Sequence, residues 1–271
     1  MRTHARAHMN LLVRKLRESY IEPHARAQRS MQIETVISLT FDDAYESIYL
    51  NAYPSMKERG FRGVVFAISG LVGGYFEGHK IMNEKQLHEL YNNGWEIGSH
   101  TFSHPWSLTS GKYTMEQYAA EITLSKHKLE ELGFDVISFS YIHGFHSAKP
   151  MIEEVERRYN YARTSDQGIN AVCQSNLFLK SVVFANDKLN DVKHWIDIVK
   201  SKGGWLVITC HGIVPDSTPL PGPIYGWSHK TAFDRLLNYI EEKEIQVTTF
   251  RDLIKGIGDN KPARAGEFNN S

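Results

Sequence analysis

The chain has 271 residues, in which 31 lysines and arginines balance 31 aspartates and glutamates. That length accommodates one α/β domain with a sizeable core, and the ordinary 41% hydrophobic and 23% charged fractions exclude collagen-like, coiled-coil and wholly disordered chains. The balanced charge gives no reason to expect a nucleic-acid partner, and Cys173 and Cys210 are too few for a disulfide framework.

The neutral total hides two unlike segments. Residues 1–30 hold seven basic and two acidic residues, so a +5 arm is set against a −5 remainder. The arm is expected to be an amphipathic surface helix or partly non-native sequence. Residues 31–258 read as one folded domain, and 259–271, ending PARAGEFNNS, as a disordered tail. No apolar run reaches the roughly 18 residues of a membrane span, so no integral membrane segment is expected. No signal peptide is visible; the expected location is the cytoplasm, or outside the cell after removal of a leader.

From Gln32 onward, strands and helices alternate. A β-branched strand is predicted at Thr35–Thr40, then a helix over about Ile48–Arg59 stopped by Gly60. A strand at Gly63–Ile68, a helix at Glu84–Asn92 and a strand at Trp95–Ser99 follow. A long amphipathic helix over Met115–Leu132 leads to a strand at Val136–Phe139. Further helices are expected at Pro150–Arg158, Leu189–Ser201 and His229–Lys243. Further strands are expected at Tyr161–Arg163, Leu179–Phe184, Trp205–Thr209 and Gln246–Thr249. This alternation over about 220 residues implies α/β architecture, a parallel sheet curled into a distorted (β/α) barrel of about seven units.

In such a barrel the polar residues just past the C-terminal strand ends form the site, and the 13 histidines become informative by position. The first strand ends in Thr40-Phe41-Asp42-Asp43. Adjacent carboxylates after an apolar strand need a metal or partner to offset their charge; a helix N-cap is the other reading. Next comes Ser99-His100-Thr101-Phe102-Ser103-His104-Pro105. Histidines four apart lie on one face if the turn is helical, so both imidazoles reach a single ion. The third end is Ile208-Thr209-Cys210-His211-Gly212, where the histidine is a candidate site residue or a hydrogen-bonded core residue. Strand alternation should bury the Cys210 thiol away from it.

TFDD at 40–43, SHTFSHP at 99–105 and ITCHGI at 208–213, in that order, resemble the polysaccharide deacetylases with a NodB-type domain (carbohydrate esterase family 4), from about Ile33 to Ile254. The resemblance implies a catalytic domain at 31–258, a metal-dependent hydrolase removing N- or O-acetyl groups from an acetylated carbohydrate partner. Asp43, His100 and His104 would be metal ligands, Asp42 the general base and His211 the general acid. The ion is expected to be divalent: zinc by default, with cobalt or nickel also fitting. It would polarise the acetyl carbonyl.

The third family motif departs from its pattern. Ser140 stands where the family has an arginine orienting the catalytic aspartate, Ile142 replaces a proline and His143 an aromatic. The His143 backbone N–H still suits an oxyanion donor. Arg163 is the candidate to supply the missing guanidinium; a surface arginine is its other reading. Asp187 and Asp191, before Trp195, are candidates for the family's fourth, acid-tuning motif. Trp106, Tyr225 and Trp227 are candidates to stack on sugar rings, with core packing as the alternative. His143 and His146 are placed on a rim loop, and His88, His127 and His194 on helix surfaces. Two other functions stay open: an allantoinase-like cyclic-amide hydrolase, and a carbohydrate-binding pseudoenzyme.

Overall fold

In chain order the elements begin with β1 (Thr35–Phe41), a π-helical turn (Ile48–Ala52) running into α1 (Tyr53–Glu58), β2 (Val64–Ala67), β3 (Tyr75–Phe76) and β4 (His79–Lys80). There follow α2 (Glu84–Asn92), β5 (Glu96–Ser99), α3 (Met115–Glu131), β6 (Ser138–Ser140), α4 (Lys149–Arg158), β7 (Tyr161–Arg163), β8 (Asn176–Leu179) and β9 (Val182–Val183). The chain closes with α5 (Leu189–Lys202), β10 (Gly204–Cys210), β11 (Ile213–Val214), β12 (Ser228–His229), α6 (Lys230–Glu242), β13 (Gln246–Val247) and α7 (Phe250–Asp259). The structure, a computed structural model, describes residues 35–105, 113–144, 146, 149–173, 175–221 and 226–259. The expectations for the N-terminal arm, for Trp106 and Tyr225, and for the tail beyond Asp259 lie outside the described residues.

The main sheet runs β8-β7-β6-β5-β2-β1-β10-β9, all parallel. β1 is an interior strand of it: six of its seven residues are buried, as a strand covered on both faces requires. It pairs with β10 throughout, from Thr35↔Gly204 to Phe41↔Cys210. On its other side, β13 takes Val36 and Ile37 and β2 takes Thr40 and Phe41. Gly98 lets β5 pack closely, because a Cβ there would sit 2.6 Å from the Phe66 ring and from Ser138 Oγ.

The strand expected at Leu179–Phe184 is two strands, β8 and β9, at opposite edges of the sheet. Backbone donors divert the chain between them: Lys180 N–H bonds to Asn170 Oδ1 at 2.9 Å and Ser181 N–H to the Asp166 carbonyl at 2.8 Å. Only Lys180 and Ser181 separate the two strands, so the edges come within about 11 Å. The result is a half-barrel with one open seam, as the distorted-barrel expectation requires.

Two apolar layers hold it. Ile37, Leu39, Phe41, Leu206 and Ile208 face the helices. Val36, Phe66, Tyr161, Trp205 and Val207 fill the barrel, where Phe250 of α7 lies 5.0 Å from the Trp205 ring and 5.6 Å from Tyr161. Helix α7, which the pattern reading did not predict, thus plugs the barrel floor. Glu96 docks it, accepting from Arg251 N–H at 2.8 Å and from Ser138 Oγ at 2.6 Å. Among the described residues, no helix is long and apolar enough to cross a membrane.

Candidate metal and acid–base site

Five parallel strands deliver their C-terminal ends to one cavity of about 650 Å³. Asp42 and Asp43 follow β1, His100 follows β5, Tyr141 and His143 follow β6, Arg163 ends β7 and His211 follows β10. The sequence separations are large, yet the parallel register places every one of these ends on the same rim.

Asp43, His100 and His104 form a buried group whose donor atoms all lie within 4.8 Å of one another. Nε2 of His100 is 3.6 Å and Nε2 of His104 3.8 Å from Asp43 Oδ1. That oxygen is buried and has no hydrogen-bond partner among the described residues. His100 Nδ1 bonds to the Ser140 carbonyl at 2.8 Å, which points Nε2 at Asp43 as a metal-ligating imidazole requires. Burial lowers the His100 pKa to about 4 and the His104 value further still. Burial, then the neighbouring Asp42 charge, pushes Asp43 well above the usual carboxylate range. Neutral imidazoles around an orphaned carboxylate oxygen fit a divalent cation.

The backbone of this group corrects one expectation. The two histidines share no helical turn: Thr101 and His104 both have positive φ, 67° and 54°, in a loop that folds the rings to a centroid distance of 5.0 Å. Asp43 and Ala44 are also left-handed, at 66° and 58°, which turns the second carboxylate inward instead of leaving it as a helix cap.

Asp42 has different company. Arg163 donates through one terminal nitrogen to both Asp42 Oδ2 and Ser140 Oγ, and its other terminal nitrogen reaches Ser181 Oγ at 3.3 Å. Burial raises the Asp42 pKa, but Arg163, then His100 and His211, outweigh it and hold the carboxyl below its ordinary value. Arg163 is 3% exposed, so its reading as a surface arginine is overturned. Nε2 of His211 is 3.9 Å from Asp42 Oδ2. Its backbone N–H bonds to the Gly226 carbonyl at 3.1 Å, and its Nδ1 has no partner among the described residues. Asp187 and Asp191 are both exposed and Asp191 pairs with Lys188, so neither serves as the acid-tuning partner expected of them.

Trp227 is also corrected. It is 4% exposed and packs against Tyr45 at 4.8 Å and His79 at 4.6 Å, a wall residue and not an open stacking platform. Cys210 is buried. His127 and His194 are exposed, whereas His88 packs on Phe134 at 4.6 Å. The cavity also uses Phe76 and Glu77, which the pattern reading missed. They sit on the β3–β4 hairpin, whose two-residue strands leave no periodicity to read; only the Glu77-Gly78 turn marks it.

The comparisons agree with this geometry. Residues 30–161 match the family described as polysaccharide deacetylase. YxkH, a protein of Bacillus subtilis (strain 168), is 30% identical over 128 residues, covering 47% of this chain and 39% of YxkH. The poly-beta-1,6-N-acetyl-D-glucosamine N-deacetylase of Staphylococcus aureus (strain MSSA476) is 34% identical over 96 residues, 34% of this chain and 33% of that enzyme. The chain therefore spans well under half the length of these relatives. The solved structure of IcaB from Ammonifex degensii superposes with a TM-score of 0.54 at 25% identity, covering 59% of this chain and 72% of that one.

Proposed function

Because residues 30–161 match the polysaccharide deacetylase family, we propose that the chain hydrolyses acetyl groups, N- or O-linked, from a carbohydrate, with zinc as the resident ion. One observation carries the proposal: the Asp43–His100–His104 group shares a cavity with an arginine-clamped Asp42 and with His211. The relatives named as deacetylases supply the reaction class, and an amino-sugar polymer is the favoured substrate.

A divalent cation bound by those three side chains supplies Lewis acidity toward an acyl oxygen and toward water. Asp42, held ionised by Arg163, accepts a proton from the attacking water as its oxygen adds to the acetyl carbon. The backbone N–H of His143, on the rim of the same cavity, donates to the carbonyl oxygen as charge develops on it. His211 gives a proton to the leaving nitrogen or oxygen as its bond to the acetyl carbon breaks, which releases acetate and the amine or alcohol. Burial holds the His211 pKa below its ordinary value, against the neighbouring Asp42 charge, which raises it.

Asp42→Asn tests the assignment. The variant should retain zinc and lose acetate release on acetylated amino-sugar oligomers by about 10²-fold or more. Release at the wild-type rate would overturn the base, and glycan binding without hydrolysis by the zinc-loaded wild type would overturn the enzyme.

A further inference from the structure

His100 and His104 differ in what holds their rings. The His100 ring is fixed by its Nδ1 bond to Ser140, whereas Nδ1 of His104 has no partner on another described residue. The His104 ring lies between Phe76, at 4.8 Å, and His143, at 5.0 Å, contacts that limit its position without fixing the direction of its nitrogens. Its aim is therefore set by its backbone. That backbone is left-handed at His104 and at Thr101, a conformation unfavourable to side chains with a Cβ and kept only where surroundings impose it.

Two sides impose it. On one, Ser69 and Gly70 N–H groups donate to the Thr101 and Phe102 carbonyls at 3.2 and 2.8 Å. On the other stands Glu121 of α3, accepting from Ser103 N–H at 2.7 Å and from Ser103 Oγ at 2.8 Å. Both donors of the residue before His104 thus end on one carboxylate. Glu121 is only 9% exposed, on the helix face that buries Tyr118, Ile122, Ser125 and Leu129. No cation pairs with it among the described residues. A carboxylate placed there for packing alone would be a poor choice; its use is the loop.

We propose that Glu121 is a positioning residue for the ion site: by clamping Ser103 it fixes the loop that aims His104 and so raises divalent-ion affinity. The proposal rests on the metal-site reading above and adds a residue from a different element to it.

The test is zinc titration of the metal-stripped full chain against a competing chelator, with Glu121→Ala, Glu121→Gln and Ser103→Ala. Glu121→Ala should weaken zinc binding about tenfold or more. Glu121→Gln, with one acceptor oxygen left, and Ser103→Ala, with the backbone bond left, should fall between it and the wild type. A purely structural Glu121 would lower the unfolding temperature of the metal-free protein and leave the affinity of the folded protein within twofold. That result overturns the proposal, whether read from Glu121→Ala or, if it fails to fold, from the two milder variants. A wild type with no zinc affinity overturns the metal-site reading itself.

Discussion

Ser140 and Arg163 are register partners across the parallel β6–β7 ladder, and the arginine passes over the serine hydroxyl to reach Asp42. The small side chain is what makes room: Ser140 is fully buried, and its hydroxyl also lies 3.5 Å from Asp42 Oδ1. A guanidinium on β7 thus does what the resemblance places on β6. Arg163→Ala should cut acetate release by about a hundredfold while zinc affinity stays within a few-fold, since the arginine touches no metal-facing atom. The exchange Ser140→Arg with Arg163→Ser returns a guanidinium from the facing position and should recover part of the loss. A double variant no better than Arg163→Ala would show that the strand of origin matters.

Gly226 sets the place of His211. Its φ is +90°, and a Cβ there would sit 2.2 Å from Nδ1 of the His211 ring. Gly226→Ala should therefore displace the imidazole and lower turnover by tenfold or more, with zinc affinity retained. Kinetics beside zinc titration of the same preparation would check it; equal losses in both would mean that the whole rim had shifted.

The site was legible because its chemistry lies in short segments at strand ends. TFDD, SHTFSHP and the strand-terminal His211 each announce themselves locally, and parallel pairing then brings them together. Helices α2 and α3 start where expected because capping boxes, Asn83 with Gln86 and Thr114 with Gln117, are written in adjacent residues. What stayed hidden depends on contacts between distant residues. The Glu121 clamp belongs to no recognisable spacing, whereas the Asp42–Arg163 pair, 121 positions apart, was reached only through the guanidinium that the resemblance leaves missing from β6. Helix α7 was missed because its role is set by the barrel floor that Phe250 fills.

Glu96 provides a pH signature of that floor. Burial raises its pKa, against the hydrogen bonds from Ser138 and Arg251 that lower it. A carboxyl whose folded pKa is raised binds its proton more tightly when folded, so its stabilising effect is greatest in acid. It is lost as pH rises from the unfolded value, near 4.5, through the folded one. Glu96→Gln mimics the protonated form, so urea unfolding should find it close to the wild type near pH 4. The difference should move in favour of glutamine as pH climbs toward 7. A difference constant with pH would mean that the carboxyl is not protonated preferentially in the folded state.

Ion removal should be visible in stability as well as in turnover. The three donors come from Asp43 after β1 and from His100 and His104 after β5, so an ion that holds them binds the folded chain and not the unfolded one. At a free zinc concentration a hundred times Kd, such binding stabilises by about 2.7 kcal/mol, or about 5–10 °C for a domain of this size. Chelation should lower the unfolding temperature by that amount and abolish acetate release, with both restored by added zinc. His104→Ala should show no difference between zinc-loaded and chelated samples. A chelator response of wild-type size in that variant would place the stabilising ion somewhere other than the Asp43–His100–His104 group.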